Sequence, residues 1–217
     1  MAHIYLMPGL AAGSHIFDNW DLSYAGHELH KLDWITPHKK ESLQSYAQRI
    51  ATNIEHENPI LLGVSFGGIL MQEISRFLPH NQLFVVSSVR HQDEFPARLK
   101  FCAATGAQRL VPTSLAKHVP ILKRVVPVPI IKRRLELYDM YMAHSDTTYL
   151  NWALDTVVCW QQREPRPVAT HIHGTADEIF PIQNLQGDHI KVEGGTHIMV
   201  VNRYKWFNEN LPALIRG

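Results

Sequence analysis

Cysteine is scarce in this chain: Cys102 and Cys159 are the only two in 217 residues, far apart and without the paired spacing of a metal site. Such sparse use suits a reducing compartment, and both thiols read as packing residues. A surplus of one charge is also missing. Twenty-one lysines and arginines face 20 acidic residues, a net charge of +1, so no global field draws the chain onto nucleic acid or acidic membranes. The apolar amino-terminal run has no basic stretch and is broken by Pro8-Gly9, which fits neither a signal peptide nor a membrane span. Internal repeats and low-complexity tracts are absent as well. These absences leave a cytoplasmic protein without stable membrane insertion and without a nucleic-acid partner as the expectation. Its length suits one domain, with room for an inserted subdomain.

What is present is an alternation of short apolar runs with helical patterns. Strands are expected at Ile4-Tyr5-Leu6-Met7, Pro59 to Val64, Leu83 to Val86, Val168 to His173 and Ile190 to Val192. Leu43, Tyr46, Ala47, Ile50, Ala51 and Ile54 fall on one helical face, and Ile69, Leu70, Ile74, Phe77 and Leu78 pattern a second helix. Strands separated by helices predict a parallel sheet covered on both faces. Between Arg90 and Pro165 the alternation stops. Pro112, Pro120, Pro127 and Pro129 interrupt it before a helical pattern at Tyr149, Leu150, Ala153, Leu154, Val157 and Trp160. The expected division is therefore a core of residues 1–89 and 166–217 with a mostly helical insertion, 90–165, capping the carboxyl edge of the sheet.

The most informative segment is Gly63-Val64-Ser65-Phe66-Gly67-Gly68, set between an apolar run and a helical pattern. A serine raised on so tight a strand-to-helix turn adopts a strained backbone, and Gly63 and Gly67 remove the side chains that would collide there. The amides of the following helix then face the hydroxyl and favour negative charge near it. An ordinary glycine-rich turn is the plainer reading of the same residues. A phosphate loop is not, because the lysine that such a loop needs is missing.

A serine hydroxyl needs a base within hydrogen-bond reach and a third group to fix that base's tautomer. Asp177, in His173-Gly174-Thr175-Ala176-Asp177, sits at a strand-to-loop transition, and His197 stands after Gly194-Gly195 beyond the last strand. Asp177 also suits a turn, and Asp93 or Glu94 after the Leu83 to Val86 strand offers an alternative acid.

The order Ser65, Asp177, His197, with the local motif around each, resembles the α/β-hydrolase family over nearly the whole chain apart from the insertion. The resemblance implies a three-layer fold with a mostly parallel sheet of about six strands. It implies a catalytic triad of Ser65, Asp177 and His197, and an oxyanion hole made by the backbone N–H groups of Leu10 and Phe66, with Gly9 in the loop before Leu10. It also implies a cofactor-independent serine hydrolase, most often cleaving a small carboxylic ester. Three departures are visible. Proline precedes Gly9 where the family usually has histidine, the family's two leading strands are missing, and the Asp177 to His197 interval suggests a trimmed connection.

Other features carry plainer readings. His171 and His173 alternate along a strand, but no cysteine or carboxylate pair completes a metal site, so strand packing is expected and no metal. The basic residues of 121–134 interleave with apolar ones and read as a solvated helix face, with a lipid or acidic-substrate surface as the alternative. Trp152, Trp160, Tyr138 and Tyr141 are expected to form the insertion's own core, one or two of them lining an apolar pocket. An exposed apolar patch on the insertion would suggest a homodimer.

Overall fold

The computed structural model describes residues 1–113, 146–163 and 167–215. Six strands form one sheet: β1 (Ala2–Met7), β2 (His27–Lys31), β3 (Ile60–Val64), β4 (Gln82–Val86), β5 (Thr170–Gly174) and β6 (Ile190–Val192). Their order is β2-β1-β3-β4-β5-β6 and every pairing is parallel. All five residues of β3 are buried, as a strand covered on both faces requires.

The two faces of the sheet divide the core. Tyr5, Met7, Leu61, Leu83 and Val85 face one layer, built from α1 (Leu43–Ala51), α2 (Phe66–Ile74) and, past α3 (Ala97–Thr105), α4 (Thr147–Cys159). Their neighbours in sequence, Ile4, Leu6, Leu62, Phe84 and Val86, face Phe17, Trp20, α5 (Met199–Asn202) and α6 (Tyr204–Leu214). This period of two, with apolar residues on both sides, is the origin of the three layers. The expected face of α1 is buried in full, and Ser42 caps the helix by accepting from Ser45 N at 3.2 Å.

Several expectations are corrected. β2 was not expected from the sequence; its residues, His-Glu-Leu-His-Lys, lie on the edge and carry no apolar alternation. Val168 precedes β5 and is 91% exposed rather than part of a strand. Phe77 lies beyond the end of α2 and is exposed, because that helix stops at Ile74. Trp152 and Trp160 pack on the main core rather than on one another: Trp152 lies 4.3 Å from Tyr46, and its Nε1 donates to Glu41 O, while Trp160 Nε1 donates to Glu73 of α2.

The described residues between β4 and β5 are helices and turns without a strand. Pro120, Pro127 and Pro129, the basic residues of 121–134, Tyr138, Tyr141 and Pro165 lie outside the described residues. Among the described residues no helix is long and apolar enough to cross a membrane.

Candidate active site

Ser65 occupies the turn between β3 and α2 with φ 54° and ψ −120°, a conformation costly for a residue with a side chain. The surroundings hold it there. Ser65 N donates to Val86 O at 2.9 Å, and its carbonyl accepts from the Ser88 hydroxyl at 2.6 Å and from Gly68 N at 2.9 Å. A Cβ on Gly63 would stand 2.2 Å from Gly67 O, and one on Gly67 would stand 2.4 Å from Pro8 O. Only glycine fits at either position, so the two glycines let the turn close against both the elbow and the Pro8-Gly9 loop.

His197 and Asp177 come from the ends of neighbouring strands. Asp177 follows β5 and its Oδ1 accepts from Ile179 N at 2.8 Å and Phe180 N at 2.9 Å. One oxygen of Asp177 thus serves the turn and leaves the other for a further partner. Oδ2, the other oxygen, lies 2.9 Å from His197 Nδ1, and His197 Nε2 lies 2.9 Å from Ser65 Oγ. Since a carboxylate only accepts, Nδ1 carries the proton and Nε2 is free to accept from the serine hydroxyl. The Asp177 side chain is fully buried and that of His197 is 22% exposed. The alternative acids are engaged elsewhere: Asp93 pairs with His91 at 3.0 Å, and Glu94 accepts from Arg90 N and Gln186 N.

Behind Asp177 lies a pair of histidines that the sequence suggested only as packing. His173 Nε2 donates to Phe180 O at 2.8 Å and stands 3.4 Å from Asp177 Oδ2. His171 Nε2 donates to Ser88 O at 3.0 Å and lies 3.2 Å from His173 Nδ1. These partners assign the proton to Nε2 in both rings. Burial lowers the pKa of each, that of His171 to about 2, with the neighbouring His173 and Arg90 adding to the effect. Two neutral rings thus pack between the turn that carries Asp177 and the segment that supports Ser65.

The loop after β1 carries Leu10. Gly9 O accepts from the buried indole of Trp34 at 2.8 Å and from Ala12 N at 3.1 Å. Across a trans peptide the Leu10 N–H points away from Gly9 O, so these two bonds fix the direction of that N–H. Ala11, at φ 62°, is held by its N–H to the Tyr149 hydroxyl at 3.2 Å. Trp34 also stacks on the Phe66 ring, with centroids 4.7 Å apart and planes at 11°. Phe66 begins α2, where backbone N–H groups have no partner within the helix. Neither Trp34 nor Tyr149 was expected at the site. Trp34 lies in no motif, and Tyr149 approaches from 138 residues beyond Ala11.

No protein-family model matches the chain, and no curated protein matches it by sequence. Solved structures do match. A hydrolase from Pseudomonas aeruginosa has a TM-score of 0.72 at 14% identity over 100% of this chain and 90% of its own. The chain has the α/β-hydrolase fold. Two further α/β-hydrolase structures match at a similar level. An esterase from Exiguobacterium antarcticum gives 0.68 at 14% identity over 99% of this chain and 91% of its own. A thioesterase of the prodiginine biosynthetic pathway in Streptomyces coelicolor gives 0.62 at 15%, over 99% and 85%. In this fold the end of β3 opens into α2 at the carboxyl edge of the sheet, which is where Ser65 stands.

Proposed function

We propose that the protein is a cofactor-independent serine hydrolase acting on a small carboxylic ester. The observation that carries this reading is the hydrogen-bonded series from Ser65 Oγ through His197 to the buried Asp177. Ser65 attacks the ester carbonyl as His197 Nε2 takes its proton; Asp177 stabilises the imidazolium and fixes its orientation. The Leu10 and Phe66 N–H groups hold the developing oxyanion, a contribution of about 3 kcal/mol for each such donor. His197 then returns the proton to the leaving alcohol. Water, activated by the same nitrogen, releases the acid from the acyl-enzyme. Residues 90–165 act in this reading as a cap that sets the size of the acyl group. The esterase and thioesterase among the structural neighbours are compatible with it.

The test is intact-protein mass after treatment with a fluorophosphonate, followed by peptide mapping. One adduct on Ser65 is expected, absent from Ser65→Ala and lost in His197→Ala. Turnover of an activated ester should fall by about four orders of magnitude or more in Ser65→Ala. A folded wild-type chain that takes no adduct would overturn the reading.

A further inference from the structure

Far from Ser65 in sequence, β1 and β2 pair in a register that sets His3 opposite Glu28 and Tyr5 opposite His30. Residues two apart on a strand share a face, so these four side chains project together from one edge of the sheet. The connection from α1 to β3 brings His56 onto the same face. His3 Nδ1 lies 3.0 Å from His30 Nε2, the His3 and His56 rings stack 3.5 Å apart, and the His30 and His56 rings lie 4.6 Å apart. Among the described residues, this is the one group of three or more histidine, cysteine or acidic side chains whose ligand atoms all fall within 4.8 Å of one another.

We propose that His3, His30 and His56 form a binding site for a divalent transition-metal ion of the zinc type, with the Glu28 carboxylate closing the fourth position. Three imidazoles and a carboxylate are a donor set that zinc and its neighbours in the first row accept in tetrahedral geometry. Nitrogens bound at about 2.1 Å around such an ion stand about 3.4 Å apart; His3 Nδ1 and His30 Nε2 are 3.0 Å apart, and one ligand atom from each of the three rings lies within 4.8 Å of the others. Glu28 brings negative charge to the place where a cation would sit: its oxygens lie 3.5 Å from His3 Nδ1 and 4.0 Å from His30 Nε2.

An outer support is present too. Tyr5 Oη lies 2.7 Å from His56 Nδ1 and accepts from Glu55 N at 3.0 Å. In the tautomer that donates Nδ1–H to the tyrosine oxygen, His56 Nε2 keeps its lone pair for a ligand bond, the arrangement that second-layer partners impose on metal-binding histidines. All three rings are partly exposed, which leaves an entry path.

Without a metal the rings satisfy one another by stacking and by a shared N–H···N bond. Stacked rings cannot aim both lone pairs at one point, so coordination swings His56 out of the stack. That rearrangement lowers the affinity below that of a closed structural site. The inference does not depend on the reaction at Ser65.

Titration of the full, untagged chain with zinc by calorimetry tests it, together with cobalt as a spectroscopic probe. One ion per chain is expected, with the intense visible absorption of four-coordinate cobalt. Affinity should weaken tenfold or more in His56→Gln, a loop substitution that leaves the strands intact, and likewise in His30→Gln. No saturable binding by the wild-type chain would overturn the proposal. So would unchanged affinity in both variants, which would assign the ion to others of the 14 histidines.

Discussion

In the proposed reaction, one peptide plane, that between Gly9 and Leu10, decides whether charge developing beside Ser65 meets a second donor besides the Phe66 N–H. Its orientation rests on the Trp34 indole, which no reading of motifs would single out: Trp34 lies in an irregular segment, 25 residues from the carbonyl it holds. Trp34→Phe is the informative change, because phenylalanine keeps a ring against Phe66 and removes only the N–H donor. Gly9 O then retains Ala12 N alone. The buried carbonyl loses one partner, which should lower stability by about 1 kcal/mol. If the peptide also turns part of the time, ester turnover and fluorophosphonate labelling should slow about tenfold while KM stays unchanged, a loss confined to the transition state. Denaturant melting and steady-state kinetics on the same variant check both halves. A variant with lower stability but wild-type turnover would reduce Trp34 to a packing residue.

At the scale of elements, what the sequence discloses and what it hides have physical causes. The β3-turn-α2 unit was legible because a strand buried on both faces is a continuous apolar run, and because a strained serine demands glycines at fixed offsets. Asp177 and His197 were legible as residue types in order, each just past a strand. The structure adds that the connection between β5 and β6 holds only a short turn of helix, Ile182–Asn184, in keeping with the trimmed interval noticed in the sequence. β2 was hidden for the opposite reason: an edge strand with one neighbour needs few apolar residues, and its histidines and glutamate mimic a loop. The same polar edge assembles the histidine cluster from three separate segments, so spacing alone could not reveal it. The elbow's close approach gives the prediction of this scale. In Gly63→Ala the new methyl would meet the Gly67 carbonyl, a backbone atom that cannot yield without opening the turn. A loss of about 3 kcal/mol or more is expected in urea unfolding, together with loss of labelling at Ser65. Near-wild-type stability would mean that the turn is looser than the contact implies.

Across the whole molecule, the segment that follows α4 is tied to α2 by polar groups as well as by apolar packing. Glu73, on α2, accepts from Trp160 Nε1 and pairs with Arg163 at 2.8 Å, while Gln162 donates to Gln72 at 2.9 Å. Glu73 is fully buried while the Arg163 side chain is 53% exposed, so the buried carboxylate keeps its partners and the cation its water. The histidines behind the site impose a different constraint, one that acts on the entire fold. His171 is 1% exposed and His173 is fully buried, and both are held neutral. Well above the ordinary histidine pKa of 6.5, folded and unfolded chains bind no proton there and the pair adds no pH dependence to stability. Below it the unfolded chain takes up protons that the folded one refuses, His171 down to about 2, so stability falls as pH falls through this window. The slope approaches about 1.4 kcal/mol per unit for a group that stays unprotonated in the folded chain, as His171 does. His171 alone should therefore cost the fold about 2 kcal/mol between about pH 6.5 and 5, and His173 acts in the same direction. Urea midpoints measured across that range should decline steeply, and His171→Leu, whatever its stability at neutral pH, should decline with a visibly smaller slope. Equal slopes in the two proteins would mean that His171 accepts a proton within the folded chain, and the neutral pair behind Asp177 would have to be redrawn.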